Sequence, residues 1–140
     1  MISFFYESVE FDLKEEAISS WLNKVIISEK KKEGEISFVF CNDDYLLKIN
    51  QEFLDHDTYT DIISFDNSLG NEMSGDIFIS VDRVIDNSKV YNVSEDEEMK
   101  RVMVHGVLHF CGYKDKTEKE SSLMRLKEDE KLAMFHVEHR

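Results

Sequence analysis

HGVLHFCGYKD, residues 105–115, places two histidines four residues apart and an aspartate six residues after the second. If the preceding residues are helical, His105 and His109 lie one above the other on a single helix face. Gly112 then lets the chain turn back, so that Asp115 can supply a third ligand to one metal ion. Three protein ligands leave a coordination position open, which is typical of a catalytic zinc site. The alternative is that two histidines occur by chance on one helix.

The residues before this stretch predict the helix that carries the two histidines. Ser94 followed by Glu97 is a capping-box pattern, which favours a helix start. Apolar residues then occur on most sides of the helix, so we expect it to be central and buried. These residues are Met99, Val102, Met103, Val104, Val107 and Leu108. Gly106 costs such a helix roughly 1 kcal/mol relative to alanine, which indicates a close approach by another backbone or by the surroundings of the metal. The alternative is a helix glycine that is merely tolerated.

Strands and helices are predicted on both sides of this helix from hydrophobic periodicity and capping residues. Strands are expected over residues 3–11, 35–41, 61–65 and 76–80, and short charged or polar turns over 29–34 and 67–74. Further helices are expected after Asp12, from Asp43 to before residue 56, over residues 82–91, and from Thr117 to about Phe135, with Asp12, Asp43 and Thr117 as the capping residues.

The order of these elements predicts an α+β fold, in which a small mixed sheet of about four strands is covered by about five helices. The first β-α-β unit should be a parallel crossover, and the strands over 61–65 and 76–80 should be antiparallel because the connection between them is short. No linker or repeat divides the chain, so we expect a single domain over residues 1–140.

The amino-acid composition limits the binding partners and the cellular location that we expect. The net charge of −13 argues against broad, nonspecific nucleic-acid binding, so no DNA partner is expected. Basic proteins are plausible partners on electrostatic grounds. Cys41 and Cys111 lie in apolar surroundings and are best explained as buried free thiols in a reducing cytosol. The start has no leader pattern and no apolar run reaches the length of a membrane span, so a cytoplasmic location is expected.

Three segments together resemble the YbeY family of bacterial metal-dependent endoribonucleases. HGVLHFCGY at residues 105–113 is similar to the signature of that family, NQEFLDHDTYTDIISF at 50–65 to its central segment, and GDI at 75–77 to the strand that follows. The order and spacing of all three agree, and the similarity spans nearly the whole chain.

The resemblance implies an α+β fold, one zinc ion per chain and RNA as substrate. It further implies a single-strand-specific endoribonuclease that acts in 16S rRNA maturation and ribosome quality control. Its partners would be ribosomal RNA and the small ribosomal subunit or its assembly proteins. The ligand set of His105, His109 and Asp115 suits zinc, but other divalent transition metals such as nickel, cobalt or manganese also accept it.

Two residues depart from the family pattern. Asp115 stands where the family usually has a third histidine, and a carboxylate oxygen is an acceptable zinc ligand. Its negative charge makes the metal complex less positive, so we expect a weaker Lewis acid than a three-histidine site gives. Leu54 stands where the family usually has an arginine that plausibly holds a phosphate. Leucine cannot replace it, so another cation must serve or phosphate binding is weaker.

The catalytic residues are not visible in the sequence. In metalloproteases the helix reads His-Glu-x-x-His and the glutamate is the general base. Gly106 occupies that position here, which weighs against proteolysis. His56 and Asp61 are weak catalytic candidates: His56 fits a surface loop equally well, and Asp61, like Asp76, could serve only to bond the backbone at a strand start.

Three functions therefore stay open at this point. The first is a zinc-dependent endoribonuclease. The second is a non-catalytic ribosome-assembly factor whose metal is mainly structural, which the acidity and Leu54 favour. The third is a zinc hydrolase for another substrate, because a metal site does not name its substrate.

Overall fold

A computed structural model describes residues 1–55 and 59–138 of the chain. The nine elements found there follow the predicted order, with four strands and five helices. They are β1 (Ile2–Tyr6), α1 (Glu15–Ser28), β2 (Lys32–Cys41), α2 (Asp43–Leu54), β3 (Ile62–Asp66), β4 (Glu72–Ser80), α3 (Val81–Tyr91), α4 (Glu95–Phe110) and α5 (Glu118–Glu138). The α+β fold with a small mixed sheet is thereby confirmed.

The sheet has the strand order β1-β2-β4-β3, with β3 as its one antiparallel strand among the described residues. Phe38 of β2 lies opposite Ile77 of β4, and Phe78 lies opposite Ile63 of β3. Alternate residues of β4 therefore point to opposite faces. Ile77 joins the main core with α1 and α4, whereas Phe78 packs with α2 over a smaller cluster around Cys41.

Helix α4 is the central helix, as its apolar residues predict. It packs on β3 and β4 and also contacts α1, α3 and α5. Gly106 explains how it lies so near the sheet. A Cβ atom there would lie 2.9 Å from Ile77 Cδ1 and 3.1 Å from Ile62 Cδ1. The close approach is thus to isoleucine side chains of the sheet, and not to another backbone or to the surroundings of the metal as the sequence predicted.

Two of the predicted helix caps are confirmed. The Ser94 side chain accepts a hydrogen bond from the Glu97 amide at the start of α4. Thr117 and Glu120 form a reciprocal capping box before α5. That helix continues three residues beyond the predicted end, to Glu138.

The other two cap predictions were wrong. Asp12 does not cap α1, which begins at Glu15, because Phe11 packs edgewise on Phe40 and the Tyr6 hydroxyl bonds the Glu15 carboxylate. The cap of α2 is Asn42 rather than Asp43, which lies one residue inside the helix.

The first strand and the charged turn also differ from expectation. β1 ends at Tyr6 instead of residue 11, just before Ser8 with its positive φ of 61°. β2 begins at Lys32, inside the segment predicted as a solvated turn. Within that segment the Glu29 side chain is nearly buried and bonded, since Lys131 and Tyr113 both donate to it.

The two cysteines are free thiols, as predicted, with Cys41 buried and Cys111 half-buried. Burial raises the pKa of the Cys41 thiol to about 12 and that of Cys111 to about 11. Among the described helices, none combines the length and apolar character needed to cross a bilayer.

Candidate metal centre

The end of α4 brings the three predicted ligands together. Gly112 has a positive φ of 107°, the Tyr113 amide bonds the Leu108 carbonyl, and the Gly112 amide bonds the His109 carbonyl. This is a Schellman motif, which needs a residue in a left-handed conformation directly after the helix. The motif reverses the chain, so that Asp115 returns to the face that carries the histidines.

Three ligand atoms converge at this point. His105 Nε2 lies 3.0 Å from His109 Nε2 and 3.1 Å from Asp115 Oδ2, and His109 Nε2 lies 3.3 Å from the same oxygen. Zinc at its usual ligand distances in a tetrahedral site would place its ligand atoms roughly 3.3–3.4 Å apart. The observed separations of 3.0–3.3 Å lie at or slightly below that range, so the three atoms are close enough to share one small cation.

The backbone fixes the protonation of His109. Its Nδ1 atom lies 2.9 Å from the carbonyl oxygen of Tyr113, the residue that follows the Schellman glycine. Because a carbonyl oxygen can only accept, Nδ1 carries the proton and donates it. Neutral His109 therefore presents the lone pair of Nε2 towards Asp115.

A buried carboxylate orients His105. Glu128 of α5 is only 5% exposed, and its Oε2 atom accepts a 2.6 Å hydrogen bond from His105 Nδ1. Its other oxygen accepts from Arg101, which also donates to Asp129. Such a carboxylate–histidine arrangement fixes the tautomer and makes the imidazole a better metal ligand.

The electrostatics of the site favour a cation. With both Nδ1 atoms donating, the neutral imidazoles point their Nε2 lone pairs at each other and at the Asp115 carboxylate. Burial would lower the pKa of His105, but Glu128, Asp115 and Asp61 outweigh it and raise that pKa above its usual value. A positive charge among these atoms removes the repulsion, so the residues present fit a divalent metal ion.

A second layer of polar contacts holds the His109 side. The Tyr113 hydroxyl donates a 2.6 Å hydrogen bond to Glu29, and Lys131 lies 2.8 Å from the other Glu29 oxygen. Burial would raise the pKa of Glu29, but the hydrogen bonds and the charge of Lys131 dominate and hold it below its usual value. Glu29 therefore anchors the residue whose carbonyl oxygen orients His109.

A cleft of about 410 Å³ opens beside the three ligands. Its lining residues come from α3, α4, α5, β3 and the segments just before β3 and after α4. They include Thr60, Asp61, Ser64, Tyr91, Glu98, Arg101, Arg125 and Glu128, together with the three predicted ligands. The cleft gives the metal position access to a molecule larger than water.

Of the remaining residues singled out in the sequence, one lines this cleft. Asp61 lines it, and burial raises the pKa of its carboxyl group. Asp76 and Leu54 are not among its described lining residues; Leu54 ends α2 and is 42% exposed. His56 lies outside the described residues.

Sequence reasoning missed Glu128 and Arg101 altogether. A signal for Glu128 was present, because it lies in the apolar stripe of α5, four residues from each of the buried Met124 and Leu132. A charged residue at a core position of an amphipathic helix indicates a buried partner. The identity of that partner could not be predicted, since it depends on how α5 packs against α4.

Residues 3–136 match the model of a protein family described as Endoribonuclease YbeY. A protein named Endoribonuclease YbeY from Flavobacterium johnsoniae is 63% identical over 139 residues, with 99% of each chain covered. One of the same name from Cytophaga hutchinsonii is 49% identical over 135 residues, covering 95% of this chain and 94% of that protein.

Among solved structures, the solution structure of TM1509 from Thermotoga maritima is similar to this fold. The TM-score is 0.67, and the match covers 99% of this chain and 94% of that one. The sequences are 20% identical, so this likeness concerns the fold alone.

Proposed function

The chain belongs to the endoribonuclease YbeY family, and on this basis we propose that it is a zinc-dependent endoribonuclease, with one metal ion held by His105, His109 and Asp115. The observation that carries the proposal is the convergence of three ligand atoms within 3.3 Å at the edge of an open cleft. A structural zinc site would usually be closed by a fourth protein ligand. Here all three ligand residues line an open cleft, which leaves room for a molecule beside the metal position.

The substrate proposed is single-stranded RNA, and the process is 16S rRNA maturation and ribosome quality control in the cytoplasm. The names of the relatives support RNA as substrate. The resemblance of the three sequence segments supports ribosomal RNA and the small subunit or its assembly proteins as partners. Zinc is proposed because two imidazoles and a carboxylate are ligands it commonly takes in catalytic sites.

The roles of the protein groups follow from the geometry. Bound at this site, a divalent cation supplies Lewis-acid polarisation of a phosphoryl oxygen and makes water a better nucleophile. Glu128 and the Tyr113 carbonyl keep both imidazoles in the ligating tautomer. Asp61 is proposed to accept or donate a proton, because its side chain lines the same cleft and α4 has Gly106 in place of a glutamate base.

Metal content tests the site first. We expect about one zinc per chain in the purified, untagged protein, measured by inductively coupled plasma mass spectrometry. Asp115→Ala should lose or weaken binding, because one of three ligands is gone. Asp44→Ala, which removes an exposed aspartate at the start of α2, should keep wild-type zinc. Absence of zinc from the wild-type protein, even after zinc is added back, would contradict the metal centre.

Single-turnover cleavage of single-stranded RNA tests the activity. Wild-type protein should cleave, and His109→Ala should not, because its imidazole is one of the three ligands. Cleavage that survives this substitution would point to another nuclease in the preparation. A zinc-loaded wild-type protein that binds RNA without cutting it would favour the assembly-factor function instead.

A further inference from the structure

Two side chains on the wall of the cleft formed by α3 and α5 take no part in holding the metal ligands. Tyr91 is the last residue of α3 and is 55% exposed, and Arg125 lies on the exposed side of α5. Both line the cleft that contains the three ligands. The Arg125 guanidinium carbon lies 5.9 Å from the centre of the Tyr91 ring, which is a cation–π distance.

The two arginines of the cleft differ in what they can still bind. Arg101 already binds two carboxylates, because its two terminal nitrogens donate to Glu128 and Asp129. Arg125 makes no hydrogen bond or ion pair with any residue in 1–55 or 59–138; it contacts the Tyr91 ring and acts on the Glu98 carboxylate in the same cleft through its charge alone. In a chain of net charge −13, this guanidinium lines the same cleft as the three metal ligands and keeps its N–H donors for a ligand.

The chemistry of these two groups fits one class of ligand. A guanidinium binds phosphate through two parallel N–H donors. An exposed aromatic ring stacks on an unpaired base, which single strands offer and duplexes do not. Leu54 cannot bind a phosphate, and it is not among the residues described as lining the cleft.

We infer that Arg125 and Tyr91 form a binding subsite for single-stranded RNA, with Arg125 on a phosphate and Tyr91 stacked on a neighbouring base. The inference rests on the proposed function and adds the residues that position the strand. Arg125 thereby supplies the phosphate contact that Leu54 cannot make.

The test is the binding of a short fluorescein-labelled single-stranded RNA to zinc-loaded protein, followed by fluorescence anisotropy over a range of salt concentrations. Arg125→Ala should weaken binding roughly tenfold, the effect of losing a charged hydrogen bond. The slope of log K against log[salt] should fall in magnitude by roughly 0.7, the value for one phosphate contact to a single strand. Arg125→Lys should restore the slope, because it keeps the charge.

Tyrosine variants separate stacking from charge. Tyr91→Leu should weaken single-strand binding about tenfold with little change in the salt slope, and Tyr91→Phe should restore affinity because the ring remains. Tyr91→Leu should leave binding to a duplex of the same sequence unaffected. Lys119→Ala is the matched control, since it removes an exposed cation from the same helix but away from the cleft.

Zinc content of each variant, measured in parallel, separates this inference from the proposed function. Wild-type RNA affinity in both Arg125→Ala and Tyr91→Leu, with RNA still bound and cleaved, would overturn the subsite and leave the endoribonuclease in place. An equal loss in Lys119→Ala would also overturn it, since the effect would then be general charge. A wild-type protein that binds zinc but no RNA would overturn both.

Discussion

His105 and His109 present the same atom to the same point, yet the protein supports them in different ways. His105 is held by a side chain, the buried carboxylate of Glu128 on another helix. His109 is held by the backbone, through the carbonyl of Tyr113 only four residues further along the chain. The first support depends on tertiary packing of α5 against α4, whereas the second is built into the local turn.

This difference predicts how each support can be broken. A carbonyl oxygen remains whatever side chain is attached to it, so the His109 support can be disturbed only indirectly, through the Glu29 and Lys131 contacts behind Tyr113. The His105 support is lost with one substitution. The site should therefore be more sensitive to changes in α5 than to changes in the turn.

The largest effect is expected from Glu128→Gln. The variant removes the charge that polarises His105 and leaves Asp129 as the one carboxylate that Arg101 still bonds among the described residues. Loss of such a carboxylate typically costs 10- to 100-fold in metal affinity, and we expect a decrease of about that size. Competition with a chromophoric chelator measures it, with circular dichroism to confirm that the helices remain.

Asp129→Asn is the matched control for that variant. It also removes one carboxylate that bonds Arg101, from the adjacent position of the same helix, but Asp129 is 56% exposed and bonds Arg101 rather than a histidine. Exposed ion pairs contribute about 0–1 kcal/mol, so zinc affinity should change little. Equal losses in both variants would show that overall charge, rather than the orientation of His105, is what matters.

An intermediate effect is expected from Glu29→Gln. It should weaken zinc binding less than Glu128→Gln does, because Glu29 acts on His109 only through Tyr113. Its main effect should be on stability. Lys131 is 2% exposed and loses its nearer charged partner, with Glu130 left at 3.6 Å, so the free energy of unfolding should fall by roughly 2 kcal/mol at neutral pH.

The contact between Glu29 and Lys131 predicts that the free energy of unfolding depends on pH. The pKa of Glu29 lies below its usual value in the folded chain, so its contribution is fully present above the unfolded pKa of about 4.3. It is lost as the pH falls through the folded pKa. In urea unfolding of metal-free protein, the stability difference between wild type and Glu29→Gln should stay constant from neutral pH to about pH 5 and shrink below that.

Glu130→Gln provides the comparison for this measurement. Glu130 also contacts Lys131 and Lys127 but is 55% exposed, so its removal should cost less than about 1 kcal/mol. A difference between wild type and Glu29→Gln that does not shrink in acid would contradict the assignment of Glu29 as the titrating support.

The contrast between the two supports also explains what could be predicted from sequence. The spacing of His105, His109 and Asp115 and the glycine turn lie within eleven residues, where local rules of helix geometry and capping decide the outcome. The contact between Glu128 and His105 joins residues 23 apart in sequence. It depends on the rotation and register of two packed helices, which no local rule determines.

The predictions that were wrong depended on tertiary contacts, whereas those that were confirmed depended on local sequence. The order of the nine elements and the caps at Ser94 and Thr117 were predictable, because periodicity and capping boxes are local. Asp12 failed as a cap because Phe11 makes a tertiary contact with Phe40. Glu29 seemed to be solvated because its partners, Tyr113 and Lys131, are 84 or more residues away.

The smallest effect is expected from Gly106→Ala, which acts on both histidines equally because it lies on the helix that carries them. Alanine gains about 1 kcal/mol in helix propensity, but its Cβ would crowd Ile77 Cδ1 at 2.9 Å and Ile62 Cδ1 at 3.1 Å. Overpacking usually costs about 1–3 kcal/mol, so a net destabilisation of about 0–2 kcal/mol is expected, with zinc affinity nearly unchanged.

Gly106→Val extends this series. Its two extra methyl groups meet the same isoleucines without the flexibility to avoid them, so thermal unfolding should occur at a clearly lower temperature than in Gly106→Ala. If alanine instead lowered zinc affinity as much as Glu128→Gln does, without loss of stability, the seating of α4 on the sheet would be a third support. The metal ligands would then be held by three supports, and not only by the Glu128 side chain and the Tyr113 carbonyl.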